Sequence, residues 1–343
     1  MYSESDIDSA VAAGVLKPDA AAAFRNFTAQ GRHSPAVDEE HFRLLSGFND
    51  IFVSIALVLA LVAIGQIGWR IAAPLGGLAA AGTAWLLAEY FTRTRRMALP
   101  SILLLAAFVV GVASTLVGAM DILQFHPGDR LAAATGAGIA LASAGAAWLH
   151  WRRFMVPITV AAGSVALVGV LIALAVAAYP VPETIAYPVA GLGGVFVFGL
   201  AMRWDMSDLE RRTRRSDVAF WLHLAAAPLI AHPIFHMLGV FGDHVSALTA
   251  AIVLALYLGF GFVALAVDRR ALLVSSLAYV LYALYSLIAQ TGAVELSASI
   301  TAFVIGSALL TLSVYWHQMR RFVIGMLGGL RDRLPPIQPM VPA

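Results

Sequence analysis

Two histidines lie four residues apart in an otherwise apolar part of the sequence. His232 and His236 occur in the segment WLHLAAAPLIAHPIFHMLGVFGDH. In a helix, this spacing places both imidazoles on one face, roughly 6 Å apart. Such a pair suits zinc, which accepts imidazole nitrogens as ligands, and paired histidines can also relay protons. The first interpretation is therefore a metal or proton site formed by His232, His236 and a carboxylate, with zinc as the candidate cofactor.

The surrounding residues leave a second interpretation open. His223 lies nine residues earlier, roughly on the opposite helix face and about 13 Å away, so it cannot easily join the pair. Pro228 and Pro233 interrupt the hydrogen bonds of the same helix and free carbonyl groups that need other partners. Neutral histidines that form hydrogen bonds between helices are thus the alternative to a metal site. The polar residues expected on the same side of the membrane as His236 are Asp121, His126, Asp243, His244 and Glu295.

The composition and the absence of motifs exclude several other kinds of chemistry. The chain has no cysteine, which excludes disulfides, thiol nucleophiles and thiolate metal sites, and its single lysine is Lys17. The sequence HPIFH lacks the glutamate of the H-E-x-x-H metalloprotease motif, and no Walker or G-x-S-x-G motif is present. The net charge is only +2, and no basic run is interleaved with aromatic residues, so nucleic acid is not an expected partner. We assign no catalytic and no cofactor-binding residues.

The segments that must position the histidines are apolar and long. The 343-residue chain is 60% hydrophobic and 12% charged, whereas soluble domains carry about 25% charged residues. A membrane-spanning helix needs about 20 apolar residues. This criterion predicts an all-α polytopic bundle with ten spans, at residues 48–68, 71–92, 99–120, 131–150, 155–179, 184–202, 218–240, 246–267, 271–290 and 297–317.

The distribution of positive charge predicts the orientation of these spans. All but two of the 22 Lys and Arg residues fall on one side of the ten spans, and the exceptions are Arg70 and Arg130. Because cytoplasmic loops are enriched in Lys and Arg, both termini are predicted to be cytoplasmic. We divide the chain into an N-terminal helical segment at the cytoplasm or the interface (1–46), a transmembrane domain (47–320), and an interfacial helix with an unstructured tail (321–343).

Short sequence matches indicate an internal repeat. The run AGTAWL at Ala81 recurs as AGAAWL at Ala144, and RRMALP at Arg95 recurs as RRFMVP at Arg152. The repeating unit is a helical hairpin with an arginine pair at its turn. Ordinary hairpins that obey the positive-inside rule also place arginine pairs at this period, so true duplication and simple charge patterning both remain open. Copies of a two-helix unit keep their orientation, unlike the inverted repeats of many carriers.

The positions of the acidic and small residues narrow the predicted function. No Asp, Glu, Lys or Arg lies near the middle of a span, which argues against an ion-driven pump, and Glu89 has Arg93 as its expected partner. Gly76, Gly77, Gly136, Gly138 and the glycines of 191–199 are expected at close helix contacts. We expect a non-enzymatic transporter-like protein or membrane scaffold, with the lipid bilayer and another membrane protein as partners. The alternative is an intramembrane metal-dependent enzyme that uses His232 and His236.

A family resemblance agrees with this prediction. The segment AVAAGVLKPDAAAAF, followed by helical hairpins with arginines at their turns, resembles uncharacterised bacterial inner-membrane proteins of the domain-of-unknown-function type. The resemblance implies a location in the bacterial cytoplasmic membrane. It implies no established activity and supplies no site residues.

Overall fold

Helices make up nearly all of the described residues in the computed structural model. The structure describes residues 7, 10–32, 48–125, 128–179, 182–209, 211, 213–240, 246–289, 294–329 and 334, and no strand occurs among them. The helices are α1 (Pro18–Arg32), α2 (Phe48–Ile71), α3 (Ala73–Ala88), α4 (Ala98–Ile122), α5 (Asp129–Phe154), α6 (Ile158–Ala178), α7 (Pro182–Met206), α8 (Arg214–Met237), α9 (Ala247–Val267), α10 (Ala271–Ala289), α11 (Val294–Val314) and α12 (Trp316–Met326). The all-α class predicted from the sequence is confirmed.

Each of the ten predicted spans coincides with one of the helices α2 to α11. Seven of these, α2 and α4 to α9, are long and apolar enough to cross a membrane. The helix α3 has 16 residues and continues as a π-helix, Glu89–Thr94. The apolar part of α10, Leu272–Ser286, is also short of the length of a span. The fold therefore supports a multi-pass membrane protein, in which α3 and the apolar part of α10 are shorter than a regular span and α11 is followed by a sharp bend into α12.

The end of the last predicted span is wrong. That span was predicted to run to residue 317, but α11 ends at Val314 and the chain then bends by 76° into α12. The bend follows from what the next residues contact, because the buried Trp316 and Arg320 both reach the carboxylate of Asp268. A straight continuation of α11 would carry these two side chains away from Asp268.

The terminal segments are described only in part. Pro18 stands in the first turn of α1, as predicted for a residue without a backbone N–H group. The predicted amphipathic piece before the first span, within 33–47, and the tail from residue 335 onward lie outside the described residues.

Helices on either side of each arginine-bearing turn pack against each other. The most extensive contacts of the described chain join α3 with α4, α5 with α6, and α7 with α8, and α9 also packs on α10. One end of the fold carries Arg153, Arg211 and Arg269, and we call it the arginine-rich end. The odd-numbered helices α3, α5, α7 and α9 terminate there, and the even-numbered helices α4, α6, α8 and α10 start there. The fold is thus a series of helical hairpins with their turns at one end.

The helix α8 is the centre of the second half of the fold. It packs against α6, α7 and α10. In its apolar 18-residue stretch 50% of the residues are buried, whereas the corresponding stretches of the other six candidate spans are 11–28% buried. Its residues contribute to three of the four hydrophobic clusters, including Leu222, Ala227 and Phe235. A fourth cluster around Leu104 joins α2, α3 and α4. Contacts to α8 therefore position the histidines that it carries.

Close helix contacts depend on some of the predicted glycines and not on others. A Cβ built on Gly76 would lie 2.7 Å from the carbonyl oxygen of Gly65, and one on Gly194 would lie 2.8 Å from the backbone of Leu229. Gly77 is equally constrained, so these predictions are confirmed. The prediction is wrong for Gly136, Gly138 and Gly199, because a Cβ at any of these positions meets no atom within 4 Å.

Two Gly→Ala substitutions should therefore change stability in opposite directions. A Cβ on Gly111 would lie 2.8 Å from both the amide nitrogen of Ala81 and the carbonyl oxygen of Gly77. Gly111→Ala should lower the free energy of unfolding by about 1–3 kcal/mol, the cost of overpacking. Gly136→Ala is the matched control and should raise it by up to about 1 kcal/mol through helix propensity. Thermal unfolding in mild detergent measures both, and equal midpoints would contradict the packing of α3 on α4.

Candidate functional site

A buried carboxylate lies in the last turn of α7. Asp205 is 1% exposed and accepts hydrogen bonds from His223 Nε2, at 2.8 Å, and from Arg269 Nε, at 3.3 Å. The Arg269 Nη2 group donates to its other oxygen. A carboxylate removed from water needs such charged partners. The three side chains come from α7, α8 and the α9–α10 turn, so Asp205 joins the ends of two hairpins.

This geometry assigns the tautomer of His223. An ionised carboxylate only accepts hydrogen bonds, so Nε2 of His223 carries the proton. The opposite nitrogen, Nδ1, is buried and has no hydrogen-bond partner among the described residues. His223 is therefore held in one orientation by Asp205, at the arginine-rich end of α8, as a residue separate from the His232–His236 pair.

Arg269 also contacts the start of α8. Its Nη2 group lies 3.3 Å from the carbonyl oxygen of Ser216 and 3.4 Å from the Ser216 hydroxyl. The guanidinium is 1% exposed and thereby bridges the last turn of α7 and the first turn of α8. An arginine suits this position because its planar group donates in several directions at once.

A second buried carboxylate, Asp268, directly precedes Arg269 in the sequence. Asp268 ends α9 in the left-handed conformation, with φ 61°, which aspartate tolerates better than most residues. Its carboxylate accepts from Trp316 Nε1 at 2.8 Å and from Arg211 at 3.1 Å, and lies 3.5 Å from Arg320 Nε. Arg211 also donates to the carbonyl oxygen of Val267. This carbonyl lies in the last turn of α9, where backbone carbonyls have no acceptor role within the helix itself.

These side chains form one polar cluster, which we call the arginine-end network. Its members are Asp205, Arg211, His223, Asp268, Arg269 and Arg320. The side chains of its ionic contacts are at most 4% exposed. Three arginines face two aspartates, so the network has a formal charge of +1 when His223 is neutral. It connects α7, the α7–α8 turn, α8, the α9–α10 turn and α12, and can hold their ends in one arrangement.

Sequence reasoning missed this network. The arginines were interpreted only as markers of the cytoplasmic side, and the two aspartates were not singled out. One signal was available: Asp268 and Arg269 are adjacent in a turn of only three residues between two apolar helices. A turn that short forces its side chains against the helix ends.

The predicted histidine pair shares one helix face, with aromatic partners that were not predicted. The ring centroids of His232 and His236 are 6.1 Å apart. The Nδ1 atom of His232 lies 2.9 Å from the Tyr279 hydroxyl, and His236 stacks on Tyr187 at 3.9 Å between ring centroids. Both histidines are exposed on the bundle surface. These contacts join α8 to α7 and α10 and leave imidazole edges accessible.

The additional ligands proposed for a metal are not brought to the pair by the described residues. His126, Asp243 and His244 lie outside the described part of the chain, and the side chain of Glu295 is not described. Within the described residues, no group of three or more His, Asp or Glu side chains is arranged to hold a metal ion. A zinc site at His232 and His236 would need a further ligand from outside the described side chains, for example Asp243 or Glu295, and it stays a prediction.

Zinc analysis of the purified protein tests this prediction. If the site exists, wild-type protein should contain close to one equivalent of zinc, and the double variant His232→Ala/His236→Ala should lose it because two imidazole ligands are removed. The single variant His223→Ala is the matched control, since His223 pairs with Asp205 instead. Negligible zinc in both wild type and the double variant would end the metal hypothesis.

A smaller ion cluster joins the first two hairpins. Glu89 accepts from Arg93 at 3.3 Å, as predicted, and also from Arg153 of α5 at 2.6 Å. Glu89 opens the π-helix that ends α3, and π-helical turns occur often at functional sites. These side chains remain partly exposed, at 31–57%, so the pairs contribute little to stability. They orient one hairpin against the next.

A second buried histidine, besides His223, lies in an aromatic environment. His150 of α5 is fully buried, with its ring centroid 4.6 Å from that of Phe154 and 6.3 Å from that of Trp85. Its Nδ1 atom is 3.5 Å from the hydroxyl of Thr159. The ring fills space between three helices and has no second titratable group beside it among these contacts.

Comparisons with known proteins do not assign the chain to a family. No family model matches it, and no curated protein and no solved structure shows significant similarity. The functional proposal therefore rests on the sequence and the structure alone.

Proposed function

We propose that the protein is a non-enzymatic, multi-pass protein of the bacterial cytoplasmic membrane that acts as a membrane scaffold. In this proposal the chain crosses the membrane ten times, built from repeated hairpins, with both termini and the arginine-rich end in the cytoplasm. The short helix α3 crosses together with its π-helical extension, and α11 with α12 forms a broken span. The charge distribution and the hairpin packing support this topology.

The observation that carries the scaffold proposal is the combination of a fixed end with wide apolar surfaces. The arginine-end network ties the ends of four helices together through buried ion pairs. In the six candidate spans other than α8, only 11–28% of the apolar 18-residue stretch is buried inside the protein. A rigid array of helices that exposes most of its apolar surface within the membrane can bind other membrane proteins through packing.

Site-specific photo-crosslinking in cells tests this proposal. A photoreactive residue at Phe196 of α7 or Phe303 of α11, which are 73% and 75% exposed, should give discrete crosslinked species. The matched control is Val197, which is 1% exposed and should give none. If Phe196 and Phe303 give no more crosslinked protein than Val197, these surfaces face lipid only and the scaffold proposal is wrong.

A second candidate, a transporter-like protein, is favoured by the organisation of α8. This central helix contains Pro228 between His223, at the arginine-rich end, and His232, near the other end, and Pro233 directly follows His232. Prolines permit a helix to bend, and breaking the ion pairs of Asp205 would release the arginine-rich end of α8. The test is flux of a small neutral solute into vesicles reconstituted with the protein. Faster flux with Asp205→Asn than with wild type would favour this candidate. A proton-motive current that depends on the protein would contradict the expected absence of ion pumping.

The remaining alternative is a metal-dependent membrane enzyme that uses His232 and His236. The exposure of both imidazoles is compatible with such a site. This alternative requires that the purified protein contain zinc bound through His232 and His236. It also requires an enzymatic activity that the His232→Ala variant lacks and that variants with a replaced turn arginine retain.

A further inference from the structure

A narrow cavity separates α10 from α11 near the arginine-rich end. Its volume is about 170 Å³. One wall consists of Arg270, Leu273, Val274 and Leu277, and the other of Leu309, Leu312, Ser313 and Trp316. The residues of each wall that lie in α10 or α11 share one face of that helix, while Arg270 lies just before α10 and Trp316 lies just after the bend, at the start of α12. The two faces meet as a helix seam would, except that the space between them is unfilled.

From this cavity we propose that the protein binds one anionic phospholipid in the leaflet at its arginine-rich end. One acyl chain lies between α10 and α11, and the phosphate group binds the guanidinium of Arg270. The proposal rests on the membrane location alone and applies equally to a scaffold and to a transporter.

The size and the walls of the cavity select the occupant. Sites for small molecules usually measure about 300–1,000 Å³, so a cavity of this size holds a section of one chain. A partner helix, with a diameter of about 10 Å, is too wide for it. Val274 at its edge is 63% exposed, so the cavity opens to the surrounding lipid. Six of the eight wall residues are Leu, Val or Trp, and no acidic residue is among them.

The charges around the opening select an anionic headgroup. The guanidinium of Arg270 lies 4.8 Å from the centroid of the Trp316 ring, a cation–π contact that orients it. Trp316 is itself fixed, because its Nε1 group donates to Asp268. The nearby arginine-end network has an excess of one positive charge, so the local field attracts anions. Arginine binds phosphate through two parallel hydrogen bonds, which fits a phospholipid headgroup at a helix end.

Native mass spectrometry of the full chain tests the proposal. The protein is reconstituted into nanodiscs of phosphatidylglycerol and phosphatidylcholine in equal amounts, released, and analysed for retained lipid. Wild type should retain one phosphatidylglycerol in preference to phosphatidylcholine. Arg270→Gln should weaken this retention about tenfold, the loss expected for a charge-assisted phosphate contact. The control Arg321→Gln removes an exposed arginine of α12 that does not line the cavity and should behave as wild type.

A second pair of variants tests the acyl-chain part of the site. Val274→Trp should fill the cavity and abolish the retained lipid, whereas Leu310→Trp, at an exposed position of α11 outside the cavity, should not. Equal phosphatidylglycerol retention in Arg270→Gln and Arg321→Gln would overturn the headgroup contact. Equal retention in Val274→Trp and Leu310→Trp would overturn the acyl-chain site. Loss of the lipid in Arg270→Gln and Val274→Trp without loss of crosslinks at Phe196 would separate this inference from the scaffold proposal.

Discussion

Replacing Asp205 by asparagine should lower the free energy of unfolding by about 3–5 kcal/mol, the usual cost of leaving a buried charge without its partner. The substitution keeps the shape of the side chain and removes only its charge. Among the described residues, Arg269, which is 1% exposed, would then keep the neutral oxygens of Ser216 as hydrogen-bond acceptors and Asp217 as a counter-charge to which it is not hydrogen-bonded. Unfolding in mild detergent, followed by circular dichroism, measures the change.

The matched control for this prediction is Glu89→Gln. It makes the same change from acid to amide at ion pairs that are 31–57% exposed, where screening by solvent should leave the free energy of unfolding close to that of wild type. The double variant Asp205→Asn/Arg269→Gln should recover part of the lost stability, because it removes the uncompensated charge. If Asp205→Asn costs no more than Glu89→Gln, the arginine-end network does not hold the helix ends together.

The second large effect is expected at Asp268. Asparagine also tolerates the left-handed conformation of this residue, with φ 61°, so Asp268→Asn tests charge and not backbone strain. The carboxylate faces two buried arginines, Arg211 and Arg320, and loss of its charge should again cost about 3–5 kcal/mol. Because Arg320 and Trp316 connect α12 to this carboxylate, α12 should also detach before the rest of the bundle unfolds.

Hydrogen exchange of residues 316–326 measures this local effect. The amides of α12 should exchange faster in Asp268→Asn, while those of α5 keep their wild-type rates. The control Asp129→Asn changes an exposed aspartate at the start of α5 and should leave α12 unaffected. Unchanged protection of α12 in Asp268→Asn would mean that its docking depends on the apolar contacts of Trp316 and Val323 instead.

The positions of the helices could be predicted because the hydropathy of the sequence alone encodes them. Long apolar stretches separated by polar turns identify helices such as α2 and α9, and each predicted span has its counterpart. The end of α11 could not be obtained in this way. Hydropathy treats Tyr315 and Trp316 as a continuation of the span, whereas the bend depends on a carboxylate that lies 48 residues away in the sequence.

The arginine-end network was missed for a related reason. Charged residues in turns have an adequate explanation in the positive-inside rule, so their number and side of the membrane can be predicted and their partners cannot. Asp205 and Arg269 are 64 residues apart and meet only because two hairpins pack side by side. The histidine pair shows the opposite case, since a spacing of four within one helix fixes its geometry without tertiary information. Tyr187 and Tyr279, on neighbouring helices, could not be assigned to it from the sequence.

The central claim, an even number of crossings with the arginine-rich end in the cytoplasm, is most directly tested by cysteine labelling. The chain has no cysteine, so single substitutions report without background. A membrane-impermeant maleimide should label Gln124→Cys, at the opposite end, in cells whose outer membrane is permeabilised. Ser207→Cys, at the arginine-rich end, and a cysteine after residue 343 should be labelled only after the cytoplasmic membrane is broken. Labelling of Ser207→Cys or of the C-terminal cysteine before that step would contradict the account.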